Sequence, residues 1–229
     1  MLLDALPDDD FALFIGDTTA PSMYEHGDVL QRPNAQVENV HFPTSGVMSV
    51  IALLEGGSRP VEAVTVGREG MTNVHAVLGS RRTGAESTVA QVEGKGFTVP
   101  VEQFGEHASR PGPLQRIVHG YAQAYRAQTA YGAACNAVHY VTRRCARWLL
   151  QTHDRVVSDS FYLTQEYLAT MLGVERSTVS VAAADLHRNG LIDYRRGHVR
   201  ILDREGLEAA SCECYENIRT EYSRLVPLA

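Results

Sequence analysis

Short apolar segments separated by turn-forming residues dominate the first part of the chain. Between Tyr24 and Pro100, runs rich in valine alternate with glycine, proline and asparagine, which favour turns. The pattern predicts strands at Val37–Phe42, Gly46–Leu54, Val61–Val66, Ser87–Val92 and Gly96–Val99. Several short strands at roughly 8–12-residue spacing are typical of a small barrel or sandwich. We therefore expect a β-domain in this part of the chain.

A long amphipathic helix is predicted after the Pro-Gly-Pro break at residues 111–113. Apolar or small residues, with the polar Gln128 as the exception, recur there at alternating steps of four and three, the period of helices that pair as coiled coils. This stripe consists of Leu114, Val118, Tyr121, Tyr125, Gln128, Gly132 and Cys135. We expect it to be the seam of a homodimer; burial of the helix within its own chain is the alternative. The second stripe, expected to face the β-domain, consists of Ile117, Ala124, Tyr131 and Val138.

Two more helices are predicted on either side of the most informative segment. One covers Val138–His153, where Arg143, Arg144 and Arg147 lie largely away from the apolar face. Arginines on one face of an amphipathic helix are typical of a solvated surface, so we assign them to solvent. The other covers Glu205–Leu225 and is expected to pack across the preceding module or a dimer partner.

The segment Leu163–Asp203 has the pattern of a winged helix-turn-helix. Thr164 is placed to cap a first helix, because its hydroxyl can accept a hydrogen bond from an unpaired backbone N–H. Gly173 permits a tight turn, and a second helix is predicted from Arg176. Two strands around a basic turn at residues 195–197 then form a wing.

A helix-turn-helix inserts the N-terminal end of its second helix into the major groove of DNA. Hydroxyl groups there can contact base edges, and arginine can pair with guanine through two hydrogen bonds. The expected base contacts are Arg176, Ser177, Ser180 and Val181. The expected contacts to backbone phosphates are Thr164, Gln165, Thr178, Arg195 and Arg196. Double-stranded DNA is the predicted partner; the alternative is a ligand-sensing signalling protein whose winged module is a protein-interaction adaptor.

The formal charge agrees with DNA binding once it is divided along the chain. The whole chain carries −6, which by itself disfavours contact with phosphates. Residues 1–110 hold 7 basic and 15 acidic residues, whereas residues 139–204 hold 10 arginines and 7 acidic residues. A local basic patch is what attracts phosphates, so the total charge does not exclude DNA binding.

All four cysteines lie in the second half of the chain: Cys135, Cys145, Cys212 and Cys214. None forms a CxxC pair, and Cys212-Glu213-Cys214 is a poor half-site for structural zinc. Because no second Cys/His pair is recognised beside it, no metal site is predicted. Free thiols are expected in a reducing compartment, and a redox role stays open.

Other classes of protein lack their sequence signatures. The chain contains no nucleophile elbow, HExxH motif, P-loop or dinucleotide fingerprint, so we predict no catalytic residue and no enzyme. No apolar run approaches the roughly 18–20 residues that cross a bilayer. The segment Met1–Asp10 is acidic, unlike a signal peptide. We expect a cytoplasmic protein without membrane contact.

Two stretches of the winged module resemble the Crp/Fnr superfamily of bacterial transcription regulators. They are Leu163-Thr-Gln-Glu-Tyr-Leu-Ala-Thr-Met-Leu-Gly-Val-Glu-Arg-Ser-Thr-Val-Ser and Asn189-Gly-Leu-Ile-Asp-Tyr-Arg-Arg-Gly. The resemblance implies an α+β fold with a cyclic-nucleotide-binding-like β-barrel at residues 1–110 and a long dimerisation helix at residues 111–137. A winged helix-turn-helix with a C-terminal helix would then occupy residues 138–229. It further implies a homodimer that recognises a near-palindromic site and contacts RNA polymerase.

Departures from the family pattern indicate a changed specificity. Where members often carry charged residues in the second helix, this chain has Ser177 and Val181, so we expect a different half-site. Family members that bind cyclic nucleotides place an arginine against the phosphate, whereas the matching stretch here is Glu86-Ser87-Thr88. A carboxylate repels that phosphate, and cyclic AMP is therefore expected to bind weakly or not at all.

The effector and any cofactor stay unknown at this point. The degenerate effector pocket is predicted to contain Glu69, Glu86, Ser87 and Thr88. A small-molecule effector of another kind stays open. The iron–sulfur cluster that the fumarate–nitrate branch holds through N-terminal cysteines is excluded, because no cysteine precedes Cys135. Haem ligation by a histidine such as His75 also stays open.

Overall fold

Two antiparallel sheets form the β-domain of the chain. The computed structural model describes residues 2–5 and 21–226; the rest of the acidic segment Met1–Asp10 lies outside them. The strands are β1 (Ser22–Tyr24), β2 (Val29–Gln31), β3 (Asn39–Pro43), β4 (Val47–Leu54), β5 (Arg59–Val66), β6 (Glu86–Val92) and β7 (Gly94–Pro100). One sheet has the order β1-β7-β3 and the other β2-β6-β4-β5. All five predicted strands are present, whereas the three-residue β1 and β2 are too short to show an alternation in the sequence.

Four helices accompany and follow these sheets: α1 (Val74–Leu78), α2 (Val101–Ala108), α3 (Pro113–Val138) and α4 (Val141–His153). Proline in the first turn of α3 fits the helix start, where its missing N–H is not needed. Helix α3 ends because His139 takes up an extended conformation, with φ −100° and ψ 144°. The joint between α3 and α4 therefore consists of His139 and Tyr140.

The remaining elements confirm the predicted winged helix-turn-helix and add a third strand to the wing. They are β8 (Ser160–Tyr162), α5 (Gln165–Leu172), α6 (Arg176–Arg188), β9 (Ile192–Arg195), β10 (His198–Ile201), α7 (Arg204–Ala210) and α8 (Cys214–Leu225). The wing sheet has the order β8-β10-β9. The single helix predicted for Glu205–Leu225 is wrong, because the chain leaves the helix at Ser211 and starts another at Cys214.

The two largest of four hydrophobic clusters organise the described chain. The first joins β3, α1, α2 and α3, with Phe42, Phe104 and Tyr121 fully buried, and it includes Ile218 and Tyr222 of α8. The second fills the winged module around Trp148, Leu168, Val179, Ile192 and Leu207. Helix α8 therefore packs on α3 of the same chain and belongs to the first core.

The predicted dimer seam lies inside the single chain. Leu114, Val118, Tyr121, Gln128 and Cys135 are buried there. The Tyr121 hydroxyl donates to the Met71 carbonyl over 2.8 Å. Gln128 donates to Thr65 Oγ1 over 3.0 Å and accepts from the Tyr222 hydroxyl over 2.8 Å. The seam prediction is therefore wrong for these residues: the same helical period is satisfied by the β-domain and α8 instead of a second copy.

Two other expectations about the helices need correction. Of the second stripe, Ile117 and Ala124 face the first core, but Val138 is 73% exposed. Arg144 and Arg147 of α4, expected to face solvent, are buried, each 7% exposed. Among the described helices, none is long and apolar enough to cross a membrane.

Candidate nucleic-acid interface

A groove of about 440 Å³ lies between the N-terminal ends of α5 and α6 and the wing. It is lined by Thr164, Gln165, Glu166, Arg176, Tyr194, Arg196 and Gly197. The fold thus brings together four of the side chains that the sequence assigns to DNA contacts, from three separate elements: Thr164, Gln165, Arg176 and Arg196.

Local sequence signals position the two helices beside this groove. Thr164 caps α5, since its hydroxyl oxygen accepts a hydrogen bond from the Tyr167 backbone N–H over 3.1 Å. Gly173 ends α5 in the left-handed conformation at φ 63°, which glycine adopts without strain. Helix α6 then begins at Arg176, directly after the extended Glu175. The cap, the turn and the helix start predicted from the sequence are all confirmed.

The wing turn presents a basic residue at its tip. Arg196 and Gly197 have φ values of 51° and 78°, and two positive φ angles are what a two-residue type I′ hairpin turn requires. The two wing arginines differ in their surroundings. Arg195 Nε donates to Asp193 Oδ1 over 3.0 Å, whereas Arg196 is exposed beside the groove.

The start of helix α6 is open to solvent. Ser177 and Thr178 are exposed, and Val181 is 70% exposed. The Arg176 side chain is also exposed, and its Nε lies 3.8 Å from Glu166 Oε2. Exposed pairs of this kind contribute little stability, so the guanidinium is free to reorient toward another acceptor.

The side chain of Ser180 links α6 to the start of α5. Its hydroxyl donates to Gln165 Oε1 over 2.6 Å and lies 3.0 Å from the Arg176 carbonyl oxygen. In this arrangement the serine holds Gln165 in position at the groove. Its side chain therefore positions a residue that lines the groove.

The residues assigned to the degenerate effector pocket lie on two different segments of the β-domain. Glu69, in the loop after β5, forms a buried ion pair with Arg155, with 2.8 Å between Oε1 and Nε. Ser87 and Thr88 are buried in β6, where the Ser87 hydroxyl donates to the Gln31 carbonyl over 2.9 Å. Glu86 is half-buried at the start of the same strand.

Glu69 instead lines a cavity of about 350 Å³ between the β-domain and α8. The other residues that line it are Arg68, Gln151, Asp154, Arg155, Tyr215, Ile218, Arg219, Tyr222, Ser223 and Val226. None of the β6 residues is among them. Of the four predicted residues, Glu69 alone lines this cavity.

Glu62 makes a second polar link between the β-domain and the winged module. Its carboxylate accepts hydrogen bonds from Trp148 Nε1 over 2.8 Å and from the Ser49 hydroxyl over 2.5 Å. Burial raises the pKa of Glu62 to about 7, although both hydrogen bonds and the charges of Arg147 and Arg155 act in the opposite direction.

A cluster of three cysteines and one histidine, not recognised in the sequence, forms where α3 meets α8. Cys135, His139, Cys212 and Cys214 place their sulfur and imidazole nitrogen atoms within 4.8 Å of one another. The expectation that no Cys/His pair accompanies Cys212-Glu213-Cys214 is therefore wrong. The available signal is the four-residue spacing of Cys135 and His139, which a continuous helix would place on one face; in the structure His139 directly follows the helix.

Comparison with known proteins gives the class of the C-terminal module. Residues 143–210 match the family model of the Crp-like helix-turn-helix domain. Among curated proteins, none shows significant sequence similarity to the chain. The match covers α4 through α7, which includes the groove and the wing.

Solved structures extend the similarity to the whole fold. FixK2 from Bradyrhizobium japonicum has a TM-score of 0.70 at 16% identity, over 84% of this chain and 97% of that one. A CRP-family transcriptional regulator from Thermus thermophilus has a TM-score of 0.68 at 19% identity, over 83% and 96%. A CRP/FNR-family transcriptional regulator from the same organism has 0.68 at 20%, over 84% and 98%.

The winged module and the β-domain thus have the same architecture as these solved transcriptional regulators. Residues 143–210 form a Crp-like helix-turn-helix domain, and the chain shares the fold of solved CRP- and CRP/FNR-family transcriptional regulators. The resemblance drawn from the sequence motifs is confirmed for the winged module.

Proposed function

We propose that the chain is a homodimeric, sequence-specific DNA-binding transcription regulator. The observation that carries this proposal is the groove at the N-terminal end of α6, where Thr164, Gln165, Arg176 and Arg196 converge. Three elements supply hydrogen-bond donors to one concave surface, and Arg176, the first residue of α6, lines it. Such a surface suits the phosphates and base edges of duplex DNA.

Within this proposal the residues divide into two roles. Arg176, Ser177 and Val181 contact base edges, because they lie on the exposed first two turns of α6. Thr164, Gln165, Thr178, Arg195 and Arg196 contact the sugar–phosphate backbone and fix the orientation of the module. Ser180 acts through Gln165, to which its hydroxyl is bonded.

The dimer forms through the exposed face of α3, opposite to the buried one. Exposed residues recur on this face at alternating steps of three and four: Arg116, His119, Gln123, Arg126, Ala130, Ala133 and Ala137. The alanines of the C-terminal half permit close approach of two helices related by a two-fold axis. A two-fold dimer presents two copies of α6 and therefore recognises a near-palindromic site.

Regulation is proposed to involve an effector other than cyclic AMP. Ser87 and Thr88 are buried in β6, and the neighbouring position holds Glu86, whose charge repels a phosphate. Arg81 and Arg82 are the arginines nearest to Glu86 in sequence. The Arg81 guanidinium lies on the surface, where it pairs with Glu102 at 3.1 Å. RNA polymerase contact belongs to the same proposal and rests on the family resemblance alone.

Selection from random duplexes tests the proposal. The full chain is expected to enrich a near-palindromic sequence under reducing conditions, with or without cyclic AMP. Enrichment only with cyclic AMP would contradict the effector proposal but keep the regulator. Absence of enrichment, together with capture of a protein by the winged module, would favour the adaptor alternative.

A further inference from the structure

The cysteine–histidine cluster joins two distant parts of the chain at the joint between α3 and α4. Cys135 lies on the last turn of α3, and His139 follows it in the joint. Cys212 and Cys214 lie where α7 gives way to α8, 77 residues beyond Cys135 in the case of Cys212. All three thiols are buried, at 0–4% exposure, in a small cluster with Tyr131 at its edge.

Two distances within the cluster match one shared ion, and all four ligand atoms lie within 4.8 Å of one another. The sulfurs of Cys135 and Cys212 are 3.5 Å apart, and Cys214 Sγ lies 3.7 Å from His139 Nδ1. A tetrahedral zinc ion with bonds of about 2.3 Å to sulfur and 2.0–2.1 Å to nitrogen holds its ligand atoms roughly 3.5–3.8 Å apart. Thiolates that bind different irons of an iron–sulfur cluster are separated more widely, so the compact arrangement favours a single ion.

We propose that Cys135, His139, Cys212 and Cys214 form a Cys₃His site for one thiophilic divalent cation, with zinc as the reference ion. Sulfur and imidazole ligands in this number are the set that structural zinc takes up. Binding forms three metal–sulfur bonds and one metal–nitrogen bond. Each thiol that is still protonated releases its proton to solvent, and no electron is transferred.

The orientation of His139 supports this assignment. While Nδ1 faces the thiols, Nε2 lies 3.3 Å from Glu213 Oε1. A metal-bound histidine usually donates its other ring N–H to a carboxylate, which fixes the ring and its tautomer. Glu213 stands between the two cysteines in sequence, so one three-residue segment supplies two sulfur ligands and the outer carboxylate.

Charge around the cluster gives a second, independent support. Three thiolates and one divalent cation leave a formal charge of −1. The guanidiniums of Arg144 and Arg147 are buried close by. Arg147 interacts electrostatically with Cys135, and Arg144 interacts with Cys135 and Cys212. Among the described residues, neither Nε atom has a hydrogen-bond partner. Buried cations need a compensating charge, and an anionic metal–thiolate centre supplies it.

A metal at this place would fix the joint between the two modules. It would tie the end of α3 and His139 to the start of α8, so that the angle between α3 and α4 no longer varies freely. The site is therefore proposed as a structural one that holds the winged module relative to the dimerisation helix.

Metal content of the full chain tests the site. The chain is purified under reducing conditions, incubated with zinc, passed over a chelating resin and analysed by elemental mass spectrometry. About one zinc per chain is expected. In Cys212→Ser and in Cys214→Ser, the amount of zinc retained per chain should fall by a factor of about ten or more. Cys145→Ala is the matched control, because Cys145 is buried in the winged module outside the cluster, and it should retain the wild-type amount.

A cobalt-loaded sample of the unaltered chain keeps the test independent of variant folding. Tetrahedral coordination by three thiolates is expected to give intense visible bands and sulfur-to-cobalt charge transfer, both lost on addition of zinc. Less than about a tenth of a zinc per chain would overturn the proposal. So would iron with labile sulfide, or a Cys135–Cys212 disulfide in the reduced preparation. Metal content does not depend on DNA binding. The metal-site proposal and the DNA-binding proposal can therefore fail independently of each other.

Discussion

Glu69 of the β-domain and Arg155 of the winged module form a buried ion pair, with 2.8 Å between Oε1 and Nε. The Gly67 backbone N–H donates to the same carboxylate oxygen over 3.1 Å, and Arg155 also donates to the Gln151 carbonyl. A Cβ on Gly67 would collide with the Arg155 side chain, so glycine there permits the approach. A residue expected in an effector pocket thus connects the two modules.

Loss of one partner of this pair should destabilise the protein strongly. Arg155→Met is expected to lower the free energy of unfolding by about 3–5 kcal/mol, because Glu69 is left buried and unpaired. Urea unfolding measures the change. Arg188→Ala, which removes an exposed pair with Asp185, serves as the control and should cost no more than about 1 kcal/mol. Equal losses of unfolding free energy in the two variants would show that the buried Glu69–Arg155 pair stabilises the protein no more than an exposed pair does.

Arg176 is expected to contribute to base recognition. Arg176→Ala should weaken binding to the selected duplex by about 1–3 kcal/mol and relax the preference at one symmetric pair of base positions. Arg188→Ala, at the opposite end of the same helix, should leave both unchanged. Fluorescence anisotropy on the selected duplex and its single-base variants gives the result. An unchanged base preference in Arg176→Ala would remove the arginine from the base-contacting set.

The exposed alanine stripe of α3 should control assembly. Ala133→Glu places two like charges across the proposed two-fold axis and is expected to convert the dimer to a monomer in light scattering. Ala184→Glu is the control, since Ala184 is also an exposed helical alanine but lies on α6 and not on α3. A monomeric wild-type protein, or a dimer that tolerates Ala133→Glu, would place the interface elsewhere.

The Glu62 carboxyl should make stability depend on pH between about 4.5 and 7. Its pKa is raised from 4.5 to about 7 in the folded chain, so the folded state binds a proton that the unfolded state releases. Its contribution to stability is complete below pH 4.5 and is lost as the pH rises through about 7, at no more than about 1.4 kcal/mol per pH unit. Glu62→Gln should flatten this part of the unfolding curve, with the fluorescence of Trp148 as the probe. An identical pH profile in the variant would contradict the prediction.

Removal of the proposed metal should lower thermal stability. At a free zinc concentration about 1,000 times the dissociation constant, the bound ion stabilises the folded chain by about 4 kcal/mol. For a chain of this size that corresponds to a Tm increase of roughly 8–16 °C. Calorimetry with zinc and with a chelator measures the difference, and Cys212→Ser should show none. A Tm that is the same in both conditions would argue against a structural ion.

The helix-turn-helix could be predicted from the sequence because its signals are local. Thr164 and Gly173 each act within a few residues of their own position, as a helix cap and as a left-handed turn. The burial of Tyr121 and Gln128 could not be predicted in this way. Their helical period shows that one face is buried, but Tyr222, which covers it, comes 94 residues after Gln128. A period does not specify whether the same chain or a second copy supplies the partner.

The cysteine–histidine cluster shows the same limit. Cys135 and His139 form one half of it, and Cys212 and Cys214 form the other, but neither half has a spacing that is specific for zinc. Only the packing of α8 against α3 brings the halves together. The burial of Arg144 and Arg147 is hidden in the sequence for the same reason, since the surface that covers them is contributed by residues far away along the chain.

The salt dependence of DNA binding tests the central claim most directly. The full chain is titrated against the selected duplex and a scrambled duplex of equal length over a series of salt concentrations. If Arg195 and Arg196 of both protomers contact phosphates, the slope of log K against log salt should be about −3.6 or steeper, with tighter binding to the selected duplex. A slope near zero, or equal affinity for both duplexes, would contradict a sequence-specific DNA-binding function.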